Sequence, residues 1–341
     1  MRAAVYYNNN DIRIEEKPKP KCKSDEILVK VIASGICGSD VMEWYRIKKA
    51  PLVLGHEITG EIVETGKNVV HLQPENRVFV SHHVPCNTCN YCLKGNHTVC
   101  DTLRSTNYYP GGFSEYIRVP SINIDRGTFI LPDEVSYEEG VFIEPLACVV
   151  RSQIKAGFKA GSTVLILGSG ISGMLHLMLA KAMGANKIIT TDINEYRLNK
   201  AKEFGADAAI NATESIPDIV RDLNNKHLAD MVIICTGAPN AFNQALNSVE
   251  RGGTIIYFAP AEPDIDLPFP AYDFWNKGIT IMPSYANSPY DATVALNLIQ
   301  SHRVPVSKLI THQLGLNQTD LGFKLVANAN ESLKVIIKPQ E

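Results

Sequence analysis

The sequence predicts an α/β protein in which a mostly β domain precedes a doubly wound parallel sheet. Three observations carry this expectation. Up to about Leu146 the chain runs in short alternating segments broken by Gly, Pro and Asn. From Ala147 to Tyr285 strand-like runs alternate with amphipathic stretches of about ten residues or more. Within that second region a cluster of glycines joins an apolar run directly to a helical one.

In the first region, Ile27-Leu28-Val29-Lys30-Val31-Ile32 and Gly60-Glu61-Ile62-Val63-Glu64 have the period of strands that expose one face. In the second, Thr163 to Leu167, Lys187 to Thr191 and Met231 to Cys235 suit buried strands, and strand alternating with helix argues for a parallel sheet. Beyond Tyr285 come a helical pattern from Asp291 to Ser301, another from Asp320 to Ala327, and a strand from Leu333 to Ile337. This tail is too small to stand alone and is expected to return to the first domain. The domains are therefore drawn at 1–146, 147–285 and 286–341, in keeping with a chain of 341 residues that exceeds one ordinary core.

Composition narrows the function. With 20% charged residues, a net charge of -3 and no run of Lys or Arg, nothing suits a nucleic-acid backbone. The apolar runs are far too short for a membrane span, and Ala3-Ala4-Val5-Tyr6-Tyr7 near the start does not look like a secretion signal. A cytoplasmic protein with a small-molecule partner is expected. In that compartment the eight cysteines read as ligands or buried thiols rather than disulfides.

Val164 to Leu167 runs into Gly168-Ser169-Gly170-Ile171-Ser172-Gly173, which opens an apolar helix through Met183. A strand, GxGxxG and a helix together are the dinucleotide fingerprint: the turn is tight, and the pyrophosphate meets backbone N–H groups at the helix's positive end. Asp192, nineteen residues after Gly173, ends the next strand. A carboxylate there accepts ribose hydroxyls and repels a 2'-phosphate, which favours NAD over NADP. Arg197, five residues on, could offset that repulsion or be solvated. Thr236 and Gly237 follow a strand where backbone could face the nicotinamide ribose.

Two groups of residues suggest metals. Cys86, Cys89, Cys92 and Cys100 fall within fifteen residues as CxxCxxCx7C in a polar loop. Four thiolates close a tetrahedral shell, as in structural zinc; an iron–sulfur cluster is the rival. The second group is dispersed: Cys37-Gly38-Ser39-Asp40, then His56-Glu57, then Glu144. Sulfur, imidazole and carboxylate are a usual mixture for a catalytic zinc with an open position, although each residue alone also has an ordinary structural reading.

With these motifs in this order, the chain resembles the zinc-containing medium-chain dehydrogenases, in particular the sorbitol and threonine dehydrogenase branch, over essentially its whole length. The resemblance implies a GroES-like catalytic domain, a Rossmann NAD-binding domain, one catalytic and one structural Zn2+ per chain, and a homodimer or homotetramer. It makes Cys37 and His56 zinc ligands, Glu57 a ligand or exchangeable neighbour, Glu144 the occupant of the place where alcohol dehydrogenases carry a second cysteine, and Asp40 the carboxylate that orients His56. Zinc with one thiolate, one neutral imidazole and one carboxylate is neutral, whereas two bound glutamates would make the site negative. One glutamate is therefore expected to bind directly and the other through water or by exchange.

The implied reaction passes hydride from a secondary alcohol to the nicotinamide, with Ser39 taking the hydroxyl proton. Two departures bear on detail. Met42 stands where many relatives carry a relay histidine, and Ser284 where some sorbitol enzymes have arginine. Glu144 and Pro283-Ser284-Tyr285 suggest a polyol, sugar or cyclitol, with Tyr45, Phe113 and Tyr285 as pocket walls. The alternatives are a threonine or butanediol dehydrogenase and, from another class, a non-catalytic nucleotide-binding relative. The apolar segment Gly278 to Pro283 would leave a sheet edge for pairing with a second copy.

Overall fold

Residue Gly35, at the end of the strand Ile27–Gly35, lies at the centre of the first of two units in this computed structural model, which describes residues 1–267 and 269–341. That unit comprises Met1–Ala147 and Ala286–Glu341. Ile27–Gly35 pairs antiparallel with Glu57–Thr65 and with Tyr116–Val119, and its far end pairs with Lys334–Lys338. The C-terminal strand is in turn parallel to Ile310–Gly315, so the returning C-terminal segment extends the sheet built by Ile27–Gly35.

Apolar residues lie on both sides of this sheet because both are covered. Ile27, Val29, Val31, Ile58, Val78, Val80 and Ile117 form one core, while Tyr6, Ile36, Phe113, Phe323, Val335 and Ile337 belong to another. The helix expected from Asp291 begins earlier and spans Pro289–Gln300. Its capping explains the shift: Ser288 N and Oγ both donate to Asp291 Oδ2, at 2.8 and 2.7 Å, so Ser288 closes the first turn.

The second unit, Cys148–Tyr285, contains six parallel strands. Their spatial order is Ala208–Asn211, Lys187–Asp192, Thr163–Leu167, Ala229–Ile234, Val249–Tyr257 and Thr280–Pro283, the doubly wound arrangement with its switch point between the third and fourth. Thr163–Leu167 is buried at every position, as a central parallel strand requires. The edge strand starts at Thr280 rather than Gly278, because Gly278 adopts a left-handed conformation that ends the helix Ala271–Lys277. Among the described residues no helix is long and apolar enough to cross a membrane.

Candidate active site

Cys37 follows the sheet strand by two residues and caps the short 3-10 turn Gly38–Asp40. The turn folds back on it: Ser39 N and Ser39 Oγ each donate to Cys37 Sγ at 3.4 Å, and Cys37 N donates to Asp40 Oδ2 at 3.1 Å. His56 immediately precedes the strand that starts at Glu57, and Glu57 sits opposite Gly35 in the register. One donor atom each from Cys37, His56 and Glu57 therefore lies within 4.8 Å of the others.

Asp40 is fully buried and its Oδ1 lies 3.3 Å from His56 Nδ1. Burial works to raise the Asp40 carboxyl, but the charges and hydrogen bonds of His56, Arg46 and Cys37 outweigh it and hold the group below its ordinary range. Burial likewise works against protonation of His56, yet Asp40 and Cys37 raise its pKa well above the usual histidine value. A thiol, an imidazole fixed by a carboxylate and a further carboxylate fit a zinc ion by the chemistry of the donor set.

Four residues at this site, Lys334, Arg46, His82 and His83, were not singled out from the sequence. Lys334, buried in the C-terminal strand, bonds Glu57 Oε2 through its Nζ and reaches the Ile36 carbonyl at 3.4 Å. Gly35 makes this meeting possible, since a Cβ there would overlap Glu57 Oε2 and lie 2.8 Å from Lys334 Cε. Arg46 contacts Ser39 and Asp40. His82 stacks between His56 and His83, with ring centroids 4.8 and 3.9 Å away. Burial is the main cause that keeps both added histidines easily deprotonated, His83 at about 4.

Glu144 lies in the first turn of the helix Ile143–Lys155, is 6% exposed, and its Oε1 accepts from Asn287 Nδ2 at 3.4 Å. Phe113 is not a pocket wall: it is 1% exposed and packs edge-on against Phe323, so its ring belongs to the core. Tyr45 is partly exposed beside Trp44, with the Arg46 guanidinium 4.7 Å from its ring centre. Tyr285 is about half exposed.

Four further thiols gather in the loop beyond the strand Arg77–Ser81. Cys86, Cys89, Cys92 and Cys100 place their sulfurs within 4.8 Å of one another, and no disulfide links them. Cys89 N donates to Cys86 Sγ at 3.2 Å and Cys86 N to Cys100 Sγ at 3.4 Å, which favours thiolates. Hydrogen bonds from Thr88 lead the effects that lower Cys86 to about 5, while burial raises Cys92 to about 12. Four converging sulfurs suit a closed zinc shell.

In the second unit, Gly170 caps the helix Ile171–Ala182, with Ile171 and Ser172 in its first turn. A Cβ on Gly173 would overlap the Gly168 carbonyl oxygen, so the helix can approach its strand only with glycine there. Cys235 N donates to the Leu167 carbonyl at 2.8 Å, which brings Thr236 beside Gly168 across the switch point, while Gly237 borders the Pro260 carbonyl. Asp192 accepts from Ser169 N at 2.8 Å and Asn194 N at 3.0 Å. Arg197 is not simply solvated: its side chain is 20% exposed and its Nη1 lies 3.8 Å from Asp192 Oδ2. Its Nε is buried without a partner and the guanidinium borders Gly170, which fits an anionic cofactor at the glycine turn.

A soft and hard donor set on one unit and a nucleotide turn on the other define a metal- and nicotinamide-dependent oxidoreductase. Two family descriptions match the chain: an alcohol dehydrogenase GroES-like domain over residues 23–126 and a zinc-binding dehydrogenase over residues 172–301. Sorbitol dehydrogenase of Bacillus subtilis is 34% identical over 99% of this chain and 97% of its own length. L-threonine 3-dehydrogenase of Pseudoalteromonas translucida is 30% identical, with 96% of each chain covered. The crystal structure of 2R,3R-butanediol dehydrogenase from Bacillus subtilis aligns with a TM-score of 0.86 at 26% identity, covering 99% of each chain. The chain belongs to the zinc-dependent alcohol and polyol dehydrogenases, oxidoreductases that use zinc and a nicotinamide cofactor.

Proposed function

We propose that this protein transfers hydride between a secondary alcohol on a polyol, sugar or cyclitol and NAD. The observation that carries this reading is the convergence of Cys37, His56 and Glu57, with Asp40 on His56 and Ser39 on Cys37. Cys37, His56 and Glu57 would hold the catalytic zinc, with Glu144 as the carboxylate that exchanges or acts through water. Cys86, Cys89, Cys92 and Cys100 would hold a structural zinc. When bound, zinc supplies the Lewis acidity that brings the alcohol's pKa toward neutrality, and NAD supplies the hydride acceptor.

The chain's own groups do the rest. Asp40 fixes the tautomer and orientation of His56. Ser39 Oγ, beside Cys37, would accept a hydrogen bond from the substrate's hydroxyl, whose proton passes on to solvent water. Lys334 changes the charge count at the site: its ammonium offsets one carboxylate, so zinc, the Cys37 thiolate, Glu57, Glu144 and Lys334 together sum to neutrality. Gly168, Gly170 and Gly173 would take the pyrophosphate, Asp192 the adenosine ribose, and Thr236 and Gly237 the nicotinamide side.

The polyol reading is supported by the sorbitol dehydrogenase relative, and the threonine dehydrogenase relative keeps an amino alcohol as the competing substrate. Initial rates on polyols, inositols, threonine and butanediol, each with NAD and NADP, decide between them. Turnover of threonine at least about tenfold faster than of any polyol would overturn the polyol assignment. The edge strand Thr280–Pro283 and the neighbouring exposed Tyr272 and Trp275 support a homodimer or homotetramer. Sedimentation as a monomer at micromolar concentration would refute that assembly.

A further inference from the structure

We propose that Arg46 is a positioning residue for catalysis, joining Ser39, which accepts the substrate hydroxyl's hydrogen bond, to the Asp40–His56 pair. The inference rests on the dehydrogenase reading above and is carried by the hydrogen bonds of one side chain. Arg46 Nε donates to the Ser39 carbonyl at 2.9 Å, and Nη2 donates to Ser39 Oγ at 2.9 Å and to Asp40 Oδ1 at 3.3 Å. Asp40 Oδ1 is also the oxygen that faces His56 Nδ1.

The local backbone explains how a residue seven positions along reaches Ser39. The single helical turn Glu43–Arg46 is closed by Arg46 N donating to the Met42 carbonyl at 3.1 Å, and a 3-10 turn, Ile47–Lys49, follows. This reverses the chain and lays the Arg46 side chain back over the Cys37 turn. The Arg46 side chain is 14% exposed and its guanidinium borders the Tyr45 ring, so its freedom is small. Met42, which lies nearer to Ser39 in sequence, carries no proton to donate.

The chemistry of the guanidinium sets what this contact can do. A serine oxygen has one hydrogen and two lone pairs. Here the hydrogen is directed to Cys37 Sγ and one lone pair receives Arg46, so one lone pair remains to accept a hydrogen bond from the substrate hydroxyl. Arginine stays protonated and only donates, so it does not carry the proton onward. It holds the serine rotor in the orientation that leaves this lone pair free for the substrate hydroxyl. Two parallel N–H groups are required to hold the carbonyl and hydroxyl of the same residue, which a lysine ammonium cannot reproduce.

The test uses full-length, zinc-loaded protein with R46M, R46K and R46A. Zinc content, kcat and KM, the primary deuterium isotope effect at the reacting carbon, and the rate of zinc release to a chelator are measured for each. For R46M, kcat per bound zinc is expected to fall about 10–100-fold with KM changed by less than about threefold, and zinc release to quicken by roughly tenfold through Asp40 and His56. The isotope effect should rise as chemistry becomes slower. R46K should recover little, and added guanidinium should partly restore R46A. A kcat per zinc within about twofold of wild type in R46M, or an unchanged zinc release rate, overturns the proposal. If the wild-type enzyme oxidises no secondary alcohol with either cofactor, the functional reading fails instead, and the zinc release comparison still decides the role of Arg46.

Discussion

Replacing Lys334 with Met should expose the energetic cost of the carboxylate beside the catalytic cysteine and histidine. Lys334 and Glu57 have side chains only 1% exposed, and they meet across Gly35 between adjacent strands of one sheet. Methionine keeps most of the side-chain length and deletes the charge. Removing one partner of such a pair leaves an uncompensated buried charge and costs about 3–5 kcal/mol, whereas removing both is often close to neutral. In zinc-free protein, K334M and E57Q should each be destabilised by roughly that amount, and the double variant should lie within about 1 kcal/mol of wild type. Zinc gives the Glu57 carboxylate another counter-charge, so zinc should restore more stability to K334M than it adds to wild type. The assay is urea unfolding of the full chain with and without chelator, followed by fluorescence. The two tryptophans, Trp44 and Trp275, fall in different units, so a W275F background lets Trp44 report the unit that contains the pair. A K334M variant within about 1 kcal/mol of wild type without zinc, or single effects that simply add in the double variant, would show that this pair does not govern the site.

Substituting Cys92 with Ser should remove one metal and leave the other, because the two clusters share no residue. Zinc analysis is expected to show the loss of one ion per chain, with faster amide exchange through residues 86–105. D192S should raise KM for NAD by roughly tenfold and relax the discrimination against NADP, since Arg197 then loses the carboxylate 3.8 Å away. Steady-state kinetics with both cofactors test this, and an unchanged NAD to NADP ratio contradicts it. His176 offers a pH prediction independent of the metal sites. Burial lowers its pKa to about 3, its Nδ1 faces Gln153 Nε2 at 3.1 Å, and the ring sits edge-on to Phe258. The folded pKa is depressed, so the unfolded chain binds the proton first on acidification. The stability is fully present above about pH 6.5 and declines as pH falls toward about 3, by on the order of 1 kcal/mol per pH unit. H176M should therefore lose less stability than wild type between pH 6 and 4, as read from the Trp275 unfolding midpoint; equal slopes would refute the assignment.

Local patterns made the α/β architecture legible. Thr163–Leu167 could be read because a fully buried parallel strand is close to a continuous apolar run, and it is followed at once by the glycine turn. The four-cysteine loop was legible for a similar reason, since its donors lie within one short stretch of sequence. Phe113 misled because an aromatic residue near a site has the same sequence signature whether it lines a pocket or fills a core; its contact with Phe323, far along the chain, decides the matter. Arg46 lies in a segment with no periodic signal, and its role emerges only when two short turns reverse the backbone.

Lys334 shows where more could have been read. It is separated from Glu57 by 277 positions, so no spacing rule connects them. Yet it stands between Leu333 and the run Val335-Ile336-Ile337, in a predicted strand whose other residues are all apolar. A charged side chain within such a strand must either reach solvent or meet an opposite charge, because leaving it alone in a covered sheet costs several kcal/mol, roughly. The C-terminal strand is covered, with Val335, Ile336 and Ile337 all fully buried. The second alternative therefore applies, and it requires a buried carboxylate near the tail's point of return. Glu57 begins the strand on the other side of Gly35 and supplies that charge. The same lysine that anchors the returning tail to the first unit thus sets the charge balance around the proposed catalytic zinc, so folding of the C-terminal segment and the electrostatics of the site depend on one contact.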